Sequence, residues 1–162
     1  MRIGIDARHC GTQHHGIGHY TAMLIEQISK LDSVNEYYIF VSSDADLATL
    51  PSNFYLVRTG IGWYGWSEQL IWPFLLYHYR LDIMHFVHFN VPLLYRRKFI
   101  VTIHDLILLY FKDTHITTRN YVYFKIKYFA YRYVLRSALM RAVKIITVSQ
   151  FSRRDIILHF PF

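Results

Sequence analysis

Three places on the chain combine reactive residue types with a setting in which such residues work. Thr102-Ile103-His104-Asp105 puts a titratable pair where an apolar run ends. A histidine there can donate, accept or transfer a proton near neutral pH, while the neighbouring carboxylate either assists it or starts the next loop. His14-His15-Gly16-Ile17-Gly18-His19-Tyr20 is a glycine-rich turn ahead of a helical pattern. Glycines let a backbone approach a ligand closely, and a helix start offers amide donors and partial positive charge to an anion. These glycines lie well past the first strand and lack the third glycine of a dinucleotide fingerprint, so a plain tight turn and a ligand loop both remain open. Thr147-Val148-Ser149-Gln150-Phe151-Ser152 is the third place, where Ser149 either caps a helix or joins free amides in holding a hydroxyl or phosphate.

Metal and thiol chemistry are not expected. His85-x-x-His88 and His14-His15 have the right residue type for zinc, but no Cys or Glu cluster accompanies them. Cys10 is the single cysteine and no base is evident beside it, so a nucleophilic role has no support and an intramolecular disulfide is impossible. One unpaired cysteine favours a reducing, cytoplasmic setting.

The charge is unevenly placed. Of the 18 Lys and Arg residues, nine fall between Thr114 and Arg154, a stretch with no Asp or Glu, while the other nine face all eleven acids. The formal net charge of +7 therefore comes from one segment, which predicts an anionic partner there. Lys125, Arg132 and Arg136 share one face of the helix expected in that segment, with Lys127 and Arg141 opposite and aromatic and aliphatic residues between. Basic residues interleaved with aromatics suit an anionic membrane surface, and equally the solvated face of a core helix. No recognition-helix or RNA-binding signature is present, so nucleic acid is not an expected partner.

Positioning these groups requires a regular scaffold, and the pattern supplies one. Apolar runs at residues 2–6, 37–41, 54–57, 82–86, 99–103 and 144–148 predict strands. Helical spacing predicts helices over about 17–31, from an N-cap at Ser67 to about 79 with Pro73 kinking it or marking a late start, and over 119–142. A last helix follows Ser149 or Ser152. Near-continuous apolar strands alternating with helices predict a doubly wound, Rossmann-like α/β domain with a parallel sheet covered on both faces. At 162 residues with 53% hydrophobic side chains, one domain is expected over 1–162. Asp6 arrives too early for a signal peptide, and the apolar run at 70–77 is too short to span a membrane.

Read in order, Gly4-Ile5-Asp6-Ala7-Arg8, Gly16-Ile17-Gly18-His19-Tyr20, Trp66-Ser67-Glu68-Gln69, His85-Phe86-x-His88-Phe89-Asn90-Val91-Pro92, Val101-Thr102-Ile103-His104-Asp105 and Ile146-Thr147-Val148-Ser149-x-x-Ser152-x-x-Asp155 form a pattern. It resembles the N-terminal, acceptor-side half of retaining glycosyltransferases of the GT-B fold, family 4, notably bacterial mannosyltransferase-like members. The resemblance implies transfer of a sugar, mannose in those members, from a nucleotide sugar to a glycan or lipid-linked acceptor, as in polysaccharide biosynthesis. It implies that His104 faces the transferred sugar, with the Gly16 and Gly18 turn and Ser149 at the same cleft. Together with the residue patterns above, the expected site is His104 and Asp105 as the catalytic pair and Gly16, Gly18, Arg8 and Ser149 as substrate-binding residues, with Lys125, Arg132 and Arg136 forming a membrane or anion surface. No cofactor is implied beyond the donor substrate. The family's Glu-x7-Glu donor pair belongs to a second domain; here the three glutamates, Glu26, Glu36 and Glu68, include no pair so spaced. The expectation is therefore a half that is inactive alone, cytoplasmic and peripheral on the inner membrane face. The alternative is a non-enzymatic membrane-docking or acceptor-binding module that pairs with a separate donor-binding subunit.

Overall fold

In the computed structural model, which describes residues 1–10, 15–43, 49–110 and 118–161, six strands form a single parallel sheet. They are β1 (Arg2–Asp6), β2 (Glu36–Ser42), β3 (Phe54–Thr59), β4 (Ile83–Phe86), β5 (Phe99–Ile103) and β6 (Lys144–Thr147), in the order β3-β2-β1-β4-β5-β6. The helices are α1 (His15–Leu31), α2 (Trp66–Leu70), α3 (Trp72–His78), α4 (Ile107–Tyr110), α5 (Thr118–Arg141) and α6 (Gln150–His159). The chain moves outward from β1 to β3, then returns to place β4 on the other side of β1. That reversal is the switch point of a doubly wound sheet, where ligands enter at the carboxyl ends of the strands.

The inner strands β1, β2, β4 and β5 are largely apolar on both sides because each side meets helices, while the edge strands β3 and β6 are more exposed. Tyr37, Ile39 and Val41 of β2 join Ile5 and Ile25 in one core cluster, on the α1 side. Phe40 of β2 joins Met84, Phe86, Phe99, Val101 and Ile103 with Trp72, Leu76, Leu135 and Leu139 in the other, under α3 and α5. Gly4 belongs to this second face. A Cβ built there would stand 2.5 Å from Leu81 Cδ1 and Met84 Sδ, so the core has closed over the absent side chain.

Three local expectations change. Gly16 and Gly18 lie in the first turn of α1 rather than in a loop before it; His14 lies outside the described residues. Ser67 is not an N-cap: α2 begins one residue earlier after Gly65, with no side-chain cap, and ends before Ile71. Pro73 then sits in the first turn of a separate helix, α3, where a missing N–H costs nothing, so it marks a late start rather than a kink. The short α4 was not expected; its Ile107 amide donates to the Asp105 carboxylate. Ser149 does cap α6, its hydroxyl accepting the Ser152 amide at 3.0 Å.

Candidate active site

The carboxyl edge of β1 carries the strongest polar arrangement in the domain. Asp6 ends the strand, and Arg8 turns back so that its Nε and one terminal nitrogen each donate to the Asp6 carboxylate at 2.8 Å. The same terminal nitrogen donates to Glu68 of α2 at 2.7 Å. The other approaches the carbonyls of Ile61 and Gly62 at 3.4 and 3.5 Å. Arg8 is 1% exposed and its guanidinium lies 4.3 Å from the centre of the Trp72 ring. Burial would lift the Asp6 carboxyl, but the adjacent guanidinium outweighs it and holds Asp6 below the usual carboxylate range. Burial leaves Glu68 above that range, with Arg8 pulling down and Asp6 pushing up. Burial alone would weaken the charge on Arg8; the two carboxylates reverse that and keep it cationic. Removing one member of such a buried group leaves an uncompensated charge, at a cost of about 3–5 kcal/mol.

Glu68 extends the network upward. Its second oxygen accepts the Tyr64 amide at 2.7 Å and the Asn90 side-chain amide. Tyr64 has φ of 57°, a left-handed conformation unfavourable for a residue with a Cβ. Asp6, His9, Trp63, Tyr64, Glu68, His88 and Asn90 line a small cleft at this point. His9 stacks on Trp63 with ring centroids 4.5 Å apart and tilts towards His88 at 5.3 Å. A larger open groove, about 750 Å³, lies at the opposite edge of the sheet before β1, β4 and β5, where Arg96, Arg97 and Lys98 line it; it shares none of these residues.

His104 stands beside the cleft, just past the end of β5. Its Nε2 is 2.9 Å from the Val87 carbonyl. A carbonyl only accepts, so Nε2 carries the proton and Nδ1 is left to accept or to take up a second one. Tyr20 of α1 meets the imidazole edge-on at 5.0 Å. Beneath it, His85 and Tyr20 both bond to the Thr102 hydroxyl, at 2.8 and 3.3 Å. The Ser152 hydroxyl donates to the His104 carbonyl, which ties α6 to the same corner.

The expected site residues are therefore only partly gathered. His104 stands beside the cleft without lining it. Asp105 is exposed and uses one oxygen on α4, while its charge reaches Tyr64 and Tyr131. Arg8 lies under the cleft with its donors taken up by protein groups, so it braces the site instead of facing it. Gly16 is exposed with open space around it, whereas Gly18 is buried and its carbonyl receives the Cys10 thiol at 3.8 Å. Ser149 is exposed at its cap. Lys125, Arg132 and Arg136 are all exposed on α5; Arg141 instead packs inward, giving its guanidinium to the carbonyls of Pro92, Leu93 and Tyr95. Among the described residues no group of three or more His, Cys, Asp or Glu is arranged to hold a metal ion.

Glu68, Tyr64 and Asn90 were not picked out as site residues from the sequence, and His88 was weighed there only as a zinc ligand. The usable signal was an acid on a short helix otherwise rich in apolar residues, together with a His-Phe-Asn run leaving a strand. Burial holds the His85 imidazole down at about 4, so it is neutral when folded and free to charge when unfolded. The unfolded chain then binds the extra proton, and stability falls as pH drops below about 6.5 and continues falling until about 4. Urea unfolding between pH 7 and pH 5 should show a loss of about 2 kcal/mol from this residue; in His85→Gln that share of the loss should disappear. An unchanged pH dependence in the variant would contradict the assignment.

No curated protein matches the chain. The sequence profile of glycosyltransferase family 4 matches residues 15–162, which takes in α1, His104 and α6. With a six-stranded parallel sheet whose polar residues collect at the switch point, the chain belongs to glycosyltransferase family 4.

Proposed function

We propose that this chain is the acceptor-binding side of a glycosyltransferase that moves a sugar, mannose by resemblance, from a nucleotide sugar to a glycan or lipid-linked acceptor with retention. The observation that carries the reading is His104. Its Nε2 is committed to Val87, its ring is braced by Tyr20, and its Nδ1 is left as a proton-accepting atom at the carboxyl edge of the sheet. Gly16 and Gly18 open α1 on the same edge, where helix-start amides suit donor phosphates. The nucleotide's own grip is assigned to a separate donor-binding domain of the GT-B kind, because transfer needs both substrates held together in one closed cleft. Release of nucleoside diphosphate, measured with a nucleotide sugar and membrane lipid acceptors, tests this. The chain alone should stay at background, and fusion to a family 4 donor-binding domain should give transfer that His104→Ala lowers by roughly 10²–10⁴-fold. Ordinary turnover by the chain alone, or fusion activity indifferent to His104, would overturn the reading.

A second reading, a membrane-docking module for a separate donor subunit, draws on one observation. Along residues 125–133, α5 exposes Lys125, Ile126, Lys127, Phe129, Arg132 and Tyr133, and among its described side chains Leu135, Ala138 and Leu139 are buried. Cations beside exposed aromatic and aliphatic groups fit an anionic bilayer surface, here the inner face of the membrane where lipid-linked acceptors are met. No helix among the described residues is long and apolar enough to cross a membrane. Flotation with vesicles containing phosphatidylglycerol should show binding that Lys125/Arg132/Arg136→Ala weakens by at least about tenfold, since each cation is worth about 1 kcal/mol at such a surface. Equal flotation of the triple variant would reduce α5 to a solvated basic face.

A further inference from the structure

The open groove at the amino edge of the sheet holds about 750 Å³, within the range of sites that take small organic ligands. It lies at the other end of the strands from His104 and shares no residue with the cleft there. Its floor is apolar, with Leu81 buried and Ile83 half-buried. The run Arg96-Arg97-Lys98, which leads into β5, lines it with three exposed cations. None of the three forms an ion pair among the described residues. Asp82 is the acid among the lining residues, and it uses one oxygen to accept the Arg2 amide at 2.7 Å.

These cations stand on a fixed stretch of backbone. Tyr95 is fully buried, its ring against Phe86 and Phe99. The Tyr77 hydroxyl accepts the Arg96 amide at 2.7 Å and donates to the Leu94 carbonyl at 3.0 Å. The Lys98 carbonyl accepts the Met84 amide at 3.1 Å. Arg97 is held by its side chain as well: one terminal nitrogen donates to the Leu81 carbonyl at 3.3 Å, and the guanidinium lies 5.8 Å from the centre of the Tyr77 ring. A guanidinium fixed at one nitrogen can present the rest of its fork to an oxyanion. Arg141 adds a further cation beside the loop, donating to the Tyr95 carbonyl at 2.6 Å. Burial, and after it Arg96, lower the Arg141 guanidinium from its usual value. Crowded cations that no carboxylate answers repel one another, and a bound anion relieves that repulsion. Three cations against one acid leave the lining side chains at +2. A phosphate monoester, at about −1.5 to −2 near pH 7, balances that charge, whereas one carboxylate does not. The apolar floor suits the carbon part of such an ester.

We propose that this groove binds a phosphate monoester, its oxygens on Arg96, Arg97 and Lys98 and its carbon skeleton over Leu81 and Ile83. The site is independent of the acceptor-side reading, because it lies at the opposite edge of the sheet from His104. A soluble ester and the headgroup of phosphatidic acid share this chemistry, and the experiment has an arm for each. Calorimetric titration with glycerol 3-phosphate and with glycerate, at about 0.15 M salt where distant charges are screened, forms the first arm. Flotation with phosphatidylcholine vesicles, with and without phosphatidic acid, forms the second. Both are run on the wild-type chain and on the double variant Arg96→Gln/Lys98→Gln. Glycerol 3-phosphate should bind at least about tenfold more tightly than glycerate, and the double variant should weaken it at least about tenfold, as for one lost charge-assisted hydrogen bond. Arg97→Lys, which keeps the charge and loses the fork, should weaken it less. Lys125/Arg132/Arg136→Ala should leave this titration unchanged. Flotation that needs phosphatidic acid and fails in the double variant would support the site with the lipid as its source; titration that fails in the double variant would support it with a soluble source. Circular dichroism on each variant separates lost binding from lost folding. Absence of binding in both arms, glycerate binding as tightly as the ester, or wild-type binding by the double variant in both arms would overturn the proposal.

Discussion

A guanidinium taken out of water needs its charge answered and its N–H groups occupied, and Arg8 meets both conditions in one place. Five hydrogen bonds run from it to Asp6, Glu68, Ile61 and Gly62, and Trp72 covers its face. This group joins the end of β1 to α2 and to the loop before it, elements sixty residues apart in sequence. The conformation of Tyr64, the placement of Asn90 and the walls of the cleft follow from where Glu68 is held. A bidentate, planar fork is needed for this geometry, which lysine could not reproduce.

The sheet gives the clamp its location. With β1 between β2 and β4, the residues leaving β1 and β4 meet at the switch point, and β5 adds His104 from the next strand across. The buried chain of His85, Thr102 and Tyr20 ties β4, β5 and α1 together directly beneath it. The loop residues Tyr64, His88, Asn90 and His104 are held beside the carboxyl ends of β1, β4 and β5 by hydrogen bonds, Tyr64 and Asn90 to Glu68, His88 to Tyr64 and His104 to Val87. The basic helix α5 packs through Leu135, Ala138 and Leu139 and presents Lys125, Ile126, Lys127 and Phe129 outward, so a single element serves both the core and the surface.

The sheet was legible in the sequence because a strand covered on both faces must be apolar at nearly every position, and runs such as Phe99 to Ile103 satisfy no other element as well. The long helix was legible from its length and its lack of glycine and proline. His104 could be found because an apolar strand ending in a titratable residue is conspicuous. The clamp was not legible. Its meaning depends on Arg8 and Glu68 meeting through space, and Arg8 in isolation reads as a cation ready for a ligand. Ser67 misled because capping preference is a local signal, whereas the start of α2 follows from the turn that Glu68 anchors.

The cleft at the switch point is kept in shape by the buried charge group of Asp6, Arg8 and Glu68. The most direct measurement is amide hydrogen exchange of Tyr64 and its neighbours at 61–64, compared with Ile39 in β2, in the wild-type chain and in Arg8→Met and Glu68→Gln. If the clamp holds the site, the 61–64 amides exchange at least about tenfold faster in both variants, the equivalent of losing one hydrogen bond of about 1.4 kcal/mol, while Ile39 keeps its protection. Wild-type exchange at 61–64 in a folded Arg8→Met or Glu68→Gln chain would contradict it.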